Sequence, residues 1–279
     1  MVGFLTEVGK RIADRWFTGL LLPGCLLLAV LGCALRLGHA HALDSGRLTA
    51  GVEHAAPQWR DEPLRVLVAG ALVIAAACLA GLAAQGCGWL TERCWLRHRR
   101  LIALPVLRRA ARRFVPSRRQ RAERAAERSG IVPVAGYLPQ RPTWMSDRMR
   151  LIEARVYAQH WISATLAWPR VWLLADETAR APVHSARQRF AAAVTLAGWA
   201  ECYGLAGLLW WPAAVIGGLT YAVALYRARA ALDEFATLVE SLVDIQGRAL
   251  ADSLGVPLPT GRITAAEGAL INDILHKGD

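Results

Sequence analysis

Residues 66–84, VLVAGALVIAAACLAGLAA, decide the fold because this stretch is apolar throughout and carries no charge. About 20 apolar helical residues cross the ~30 Å hydrocarbon core of a bilayer, so residues 64–90 are expected to form a membrane span. Small residues recur at helical spacing, with Ala76, Ala80 and Ala84 on one line and Ala77 with Gly81 on another. Such lines let helices pack closely in lipid. The alanine richness of the whole chain is the competing explanation.

The composition indicates a membrane protein. The chain has 279 residues, of which 54% are apolar, and a formal net charge of +11. Soluble domains are usually about 45–50% apolar, and disordered chains combine high charge with low hydrophobicity. Only Lys10 and Lys277 are lysines, so the positive charge is almost all arginine. Such a bias is typical of a GC-rich bacterial genome and does not by itself indicate nucleic-acid binding.

Two further apolar blocks complete the predicted membrane part. Segment 1–36 holds a first span of about 19 residues, longer than the ~7–15 apolar residues of a signal peptide. Ala40-His41-Ala42 resembles a cleavage site, so removal of this segment is the alternative. Segment 190–226 has Glu201 as its only charge and is too long for one span. It predicts a third and fourth span joined by a turn near 204–212, or a re-entrant hairpin.

The arginine distribution predicts the orientation. The loop 37–63 has two arginines and four acids, whereas block 91–189 has 21 arginines and seven acids. The positive-inside rule places 91–189 in the cytoplasm, the loop outside and both termini in the cytoplasm. We therefore expect an all-α, multi-pass protein of the bacterial plasma membrane, with about four membrane segments and small helical cytoplasmic regions.

A cluster of arginines follows the second span. Arg108, Arg109, Arg112 and Arg113 share one helix face, beside apolar positions. An amphipathic basic helix next to a span is typical of binding to anionic lipid headgroups. Solvated arginines that only set the topology are the alternative. Nucleic acid is not expected as a partner, because no recognised nucleic-acid-binding motif accompanies the charge.

Two helical regions are predicted in the cytoplasm. After a Pro- and Gly-rich linker at 130–142, a helix carries an apolar line of Met145, Met149, Ile152 and Val156, and Trp168 before Pro169 predicts a break. The tail 227–279 has five basic residues and eight acids. Its apolar stripe is predicted as an association face toward the basic middle or a second protomer: Leu232, Phe235, Val239 and Leu242.

No catalytic motif, metal site or cofactor site is predicted. The chain contains no Walker, nucleophile-elbow, zinc-protease or dinucleotide motif. The six cysteines form no C-x-x-C pair, and His39-x-His41 matches no standard metal spacing. Glu201 within an apolar span is either a proton- or cation-handling site or a hydrogen-bonded contact with Gln85, Thr195 or Thr220.

One short pattern carries a resemblance. Arg141-Pro142-Thr143, Asp147 and Glu153, followed by Trp168-Pro169-Arg170, resemble a pattern in actinobacterial integral membrane proteins of unassigned function. The resemblance covers about two thirds of the chain. It implies two spans, a basic cytoplasmic middle, a late hydrophobic hairpin and a helical tail, and it carries over no catalytic residue.

The sequence leaves three functions open. The first is a non-catalytic membrane anchor or interaction module that uses its cytoplasmic helices. The second is an oligomeric channel or membrane-permeabilising effector, such as one of a bacterial immunity system, and the third is a membrane-embedded enzyme. The expected partners are the anionic bilayer and either a second copy or a cytoplasmic protein. Ion flux in proteoliposomes, wild type against Glu201→Gln, separates the first two.

Overall fold

Regular structure in this chain is helical. The computed structural model describes residues 19, 21–47, 49, 63–96, 105–130 and 134–276, without the side chains of 63 and 105–114, and contains no strand in those ranges. The helices are α1 (Leu22–Leu37), α2 (Pro63–Leu96), α3 (Pro105–Arg128), α4 (Trp144–His160), α5 (Ala164–Leu174), α6 (Glu177–Ala206), α7 (Trp211–Ser253) and α8 (Ala265–His276).

The chain divides into two compact units. Unit 1 comprises Met1–Thr91 and Ala192–Tyr226, and unit 2 comprises Glu92–Ala191 and Arg227–Asp279. The sequence places its predicted spans in the residues of unit 1 and its predicted cytoplasmic regions in those of unit 2.

The burial pattern of helix α2 is the opposite of that in a helix of a soluble protein. It buries a line of small residues and leaves large apolar side chains exposed, including Leu67 (71%) and Leu79 (66%). Ala77, Gly81, Ala84 and Gly88 follow one another at spacings of four, three and four on the buried face. Spacings of three and four keep these residues on one side of a helix, so the small side chains form a continuous packing face.

The small residues of unit 1 bring helix backbones into contact. A Cβ atom at Gly24 of α1 would overlap the backbone carbonyl of Ala77, and one at Gly198 of α6 would overlap that of Ala84. A Cβ at Gly217 of α7 would lie 2.6 Å from the Gly204 nitrogen. Leu27, Ala84 and Trp199 pack together beside these contacts. Glycine is required at these crossings because no side chain fits between the backbones.

Of the helices in the described ranges, one is long and apolar enough to cross a membrane, and it covers Leu64–Leu96. Helix α1 has 16 residues, or about 24 Å at 1.5 Å per residue, less than the ~30 Å core. The α6–α7 hairpin breaks between Ala206 and Trp211, inside the predicted turn. Glu201 and the glycine, tryptophan and tyrosine residues of this hairpin lower the mean hydropathy of its apolar part.

Unit 2 has a conventional apolar core. Side chains of α4, α5, α7 and α8 meet there, and the largest fully buried ones include Met145, Val171, Val243, Leu250 and Ile271. Thr143 caps α4 by accepting a hydrogen bond from the Ser146 nitrogen at 3.2 Å. Met145, Ile152 and Val156 of the apolar line predicted for this helix are buried, so the line faces the interior of the unit.

The predicted break at Trp168 is wrong. Helix α5 runs from Ala164 to Leu174 with Pro169 inside it. Ala167 and Val171, on either side of the proline, are fully buried in the core. Burial of these side chains outweighs the preference of a residue before proline for extended backbone.

Candidate functional site

A buried arginine joins α4 to α7. Arg148 is 7% exposed, and its guanidinium donates to three side chains spaced four and three residues apart on α7. Its Nε lies 2.6 Å from Asp233 Oδ1, its Nη1 lies 2.6 Å from Glu240 Oε1, and its Nη2 lies 3.2 Å from Thr237 Oγ1. We call these four residues the Arg148 cluster. A planar guanidinium can satisfy all three acceptors at once, which a lysine ammonium cannot do in the same plane.

The carboxylates of the Arg148 cluster offset the cost of burying its guanidinium. Burial alone lowers the pKa of Arg148, but the hydrogen bonds and negative charges of Asp233 and Glu240 outweigh it, and the pKa lies above its ordinary value. The arginine is therefore charged at any physiological pH. Its role is to hold two helices together rather than to exchange a proton.

Further ion pairs connect the basic middle to the acidic tail. They join Arg155 to Glu240 at 3.2 Å and Arg189 to Glu234 at 2.5 Å, both acids of α7. A hydrogen bond of 2.7 Å also joins His160 to Asp244. The opposite charges that the sequence assigns to these two regions are paired inside unit 2.

A second polar cluster fixes the segment before α4. Asp147 is 3% exposed and accepts hydrogen bonds from the Gln140 nitrogen at 3.1 Å and from Arg150 Nε at 3.0 Å. Arg150 also donates to the carbonyls of Gly136 and Leu138. The 134–142 part of the predicted linker is thus fastened to α4.

A second arginine approaches the same carboxylate. Arg118 of α3 lies 3.7 Å from Asp147 Oδ2. Burial lowers the pKa of Arg118, although the negative charge of Asp147 acts in the opposite direction. This contact joins the arginine-rich helix α3 to α4 within unit 2.

Helix α8 secures the turn between α4 and α5. Trp161 has a φ of 59°, unusual for a residue with a side chain. Asn272 of α8 binds the backbone on both sides, accepting from the Ser163 nitrogen at 2.9 Å and donating to the Trp161 carbonyl at 2.8 Å. Glu153 accepts from the Thr165 nitrogen at 2.9 Å and so caps α5. The left-handed turn is therefore held from two directions.

A recess of about 430 Å³ lies beside this turn. It is lined by residues of α4, α7 and the loop before α8: Gln159, His160, Asp244, Gly247, Arg248, Leu258, Gly261, Arg262 and Ile263. Three of these side chains can carry positive charge and one is a carboxylate. The recess therefore combines polar groups with the apolar side chains of Leu258 and Ile263.

The structure places the predicted arginine face on a helix. Arg108, Arg109, Arg112 and Arg113 all lie within α3, and their side chains are outside the described part of the chain. Their spacing of one, four and five residues therefore puts them on one side of this helix.

Glu201 contacts a different partner from those expected. It accepts a hydrogen bond from the hydroxyl of Thr91, which is 7% exposed on the buried face of α2. The predicted partners were Gln85, Thr195 and Thr220. Thr91 was missed because it lies beyond the predicted end of the second span, whereas α2 continues to Leu96.

The predicted association face lies in the core of unit 2. Leu232, Val239 and Leu242 are 4–6% exposed, and Phe235 packs partly buried against the same cluster. The face is occupied by the chain's own helices α4, α5 and α8. A second protein would have to contact another surface.

Sequence reasoning missed the residues that organise unit 2. Arg148, Asn272 and the lining of the recess were not predicted, because each depends on partners far away in sequence. Asp147 was named only as part of the resemblance pattern, although its partners Gln140 and Arg150 are close in sequence. One available signal was the spacing of Asp233, Thr237 and Glu240, which puts three acceptors on one face of the tail helix. A polar line beside an apolar stripe indicates that a basic side chain will pack there.

In the described residues, no group of three His, Cys, Asp or Glu side chains could hold a metal ion. His39 hydrogen-bonds to the Leu208 carbonyl at 2.9 Å, while Glu53 and His54 lie outside the described residues. Comparisons with protein-family models, curated proteins and solved structures found no match to this chain.

Proposed function

We propose that this chain is a non-catalytic membrane anchor that holds a folded helical unit at the anionic cytoplasmic surface of the bacterial plasma membrane. The exposed apolar face of α2 carries this proposal. Only 11% of the most apolar part of this helix is buried. A core helix of a soluble protein would be mostly buried, and each large apolar side chain left in water forgoes roughly 1.5–3 kcal/mol. Lipid is the solvent in which such a surface is stable.

The proposal extends to four membrane segments. Helix α1 and the α6–α7 hairpin pack against α2 or each other through backbone contacts at glycines. Exposed leucines on the hairpin, such as Leu205 and Leu219, continue the apolar surface. A bundle with small residues inside and large apolar ones outside is the pattern expected of helices packed in lipid.

Unit 2 serves as the interaction module in this proposal. It has its own core and polar clusters, and it leaves an aromatic pair exposed. Tyr157 and Trp161 are 48% and 45% exposed, with ring centroids 5.6 Å apart. Tyrosine and tryptophan are enriched in protein interfaces. We expect a protein partner to contact this aromatic pair, since the stripe from Leu232 to Leu242 is already covered.

Reporter fusions test the membrane topology. An alkaline phosphatase fused after Arg47 is expected to be active outside the membrane, and one fused after Arg128 to be inactive. A green fluorescent protein at the same two sites is expected to give the opposite result, because it fluoresces only when folded in the cytoplasm. Phosphatase activity at Arg128 together with none at Arg47 would indicate the opposite orientation. Activity at neither site would contradict membrane crossing by α2.

Vesicle binding tests the arginine face of α3. Changing Arg108, Arg109, Arg112 and Arg113 to Gln in a 95–130 peptide is expected to weaken binding to vesicles with anionic lipid. Each arginine near such a surface contributes about 1 kcal/mol, so the loss is roughly 4 kcal/mol or a thousandfold.

The matched control removes four other arginines from the same peptide: Arg119, Arg121, Arg124 and Arg128. This half of α3 carries few apolar side chains to hold it in the headgroup region. We therefore expect a much smaller loss of affinity. Equal losses would mean that total charge, and not the face, governs binding.

A further inference from the structure

The recess in unit 2 has the size of a small-molecule site. Its volume of about 430 Å³ falls within the ~300–1,000 Å³ range of ligand pockets. Helices α4 and α7 provide one side through His160, Asp244 and Gly247, and the 258–263 loop provides the other. Two helices and a loop meet here without filling the space between them.

Two guanidinium groups of the recess have no side-chain partner among the residues that the structure describes. Neither Arg248 nor Arg262 forms a side-chain hydrogen bond or ion pair with any residue the structure describes. Asp244, the one carboxylate in the lining, is bound to His160 at 2.7 Å. Arg248 and Arg262 are exposed, whereas the less exposed Arg148 and Arg150 are held by carboxylates or carbonyls. Positive charge in the recess is therefore not neutralised by the described lining.

The loop that carries Arg262 has a defined shape. Gly255 and Gly261 have φ values of 71° and 69°, which favour glycine. The Val256 nitrogen donates to the Ala251 carbonyl at 3.0 Å, and the Gly261 nitrogen donates to the Leu258 carbonyl at 3.0 Å. The backbone thus holds this arginine at the recess before any ligand binds, which lowers the entropic cost of binding.

The recess also has an apolar side. Leu258 and Ile263 are partly buried and pack against the core of unit 2. Gly247 forms part of the lining, and a Cβ there would lie 3.3 Å from the Ile263 side chain. Apolar lining beside a few convergent polar groups is typical of sites for small organic molecules.

We propose that this recess binds a phosphorylated organic molecule. Arg248 and Arg262 hold the phosphate, because guanidinium groups form paired, charge-assisted hydrogen bonds with phosphate oxygens. Leu258 and Ile263 contact the organic part, and the amide of Gln159 lies in the same lining to hydrogen-bond a polar group of it. The phosphate belongs either to a soluble metabolite or to a lipid headgroup. This site is independent of membrane anchoring, so either proposal can fail alone.

Calorimetric titration of the full chain in detergent micelles tests the site. The probes are inorganic phosphate, AMP, adenosine and dihexanoyl phosphatidic acid. AMP is expected to bind more tightly than phosphate, and adenosine not to bind. If phosphatidic acid binds and AMP does not, the phosphate that the site recognises belongs to a lipid headgroup. Absence of saturable binding by every phosphorylated probe would overturn the proposal.

Two variants and one matched control identify the residues. Arg248→Gln with Arg262→Gln is expected to weaken binding about a hundredfold, roughly tenfold for each charged hydrogen-bonding partner. Gly247→Leu keeps both charges but fills the recess, and a similar loss is expected. The control, Arg124→Gln with Arg187→Gln, removes two exposed arginines of unit 2 elsewhere. An equal loss in this control would show general charge attraction and overturn the site.

Discussion

A Gly198→Ala variant is expected to lower the free energy of unfolding of unit 1 by about 2 kcal/mol. The new Cβ would overlap the Ala84 carbonyl and lie 2.8 Å from the Gly88 nitrogen. Both obstacles are backbone atoms, so no side chain can turn away and the two helices must move apart. Overpacking of this kind costs up to about 3 kcal/mol, while alanine gains about 1 kcal/mol over glycine in helix propensity.

Unfolding by dodecyl sulfate in mixed micelles, followed by circular dichroism, measures this loss. Gly218→Ala is the matched control, since a Cβ there meets nothing within 4 Å and the residue is exposed. It has the same gain in propensity without the clash, and we expect it to be neutral or slightly stabilising. If both variants unfold alike, α2 and α6 do not approach closely at this point.

The helix periodicity of α2 could be predicted from sequence, but its packing partners could not. Small residues at helical spacing predict close packing, and the structure buries Ala77 and Ala84 on one face. The predicted line of Ala77 and Gly81 lies wholly on the buried face, whereas only Ala84 of the predicted line Ala76, Ala80 and Ala84 is fully buried, because the buried face combines spacings of three and four. Nothing local identifies Gly198 as the residue opposite Ala84, since the contact joins positions more than 100 residues apart.

The pairing of charged residues could likewise be predicted only in part from the sequence. The excess of arginine in the middle and of acid in the tail was visible in the sequence, and the two regions do pair. Which arginine is buried was not visible, since Arg148 and Asp233 are 85 residues apart. The arginines on their own therefore predict only a charged surface. Likewise, Trp168 before Pro169 predicts a helix break, because the local sequence does not show that the neighbouring Ala167 and Val171 are buried in the core.

Replacing Arg148 by methionine is expected to destabilise unit 2 by about 3 kcal/mol. Methionine keeps much of the length and apolar stem of arginine, so the change mainly removes the guanidinium. Its loss leaves Glu240, 18% exposed, and Asp233, 56% exposed, without their shared cation. Removing one member of a buried ion pair costs about 3–5 kcal/mol, and the exposure of Asp233 puts the expected value at the lower end.

Hydrogen exchange of backbone amides measures this change, because protection factors of α4 and α7 report the local free energy of opening. Arg155→Met is the matched control. Arg155 lies on the same helix and binds the same Glu240 at 3.2 Å, but it is 46% exposed. Exposed ion pairs contribute about 1 kcal/mol or less. Both substitutions remove a guanidinium from Glu240, but Arg148 is buried and also binds Asp233 and Thr237, whereas Arg155 is exposed.

Adding Glu240→Gln to Arg148→Met separates charge from packing. The amide removes the negative charge that Arg148 no longer neutralises, at the cost of the exposed pair with Arg155. Since exposed pairs contribute about 1 kcal/mol or less, we expect the double variant to regain part of the lost protection. If packing of the arginine stem were the main contribution, Glu240→Gln would give no recovery. Arg148→Lys distinguishes further, since an ammonium keeps the charge but cannot reach Asp233, Thr237 and Glu240 together in one plane. Its expected stability lies between those of wild type and Arg148→Met, and full stability would contradict a geometric role for the guanidinium.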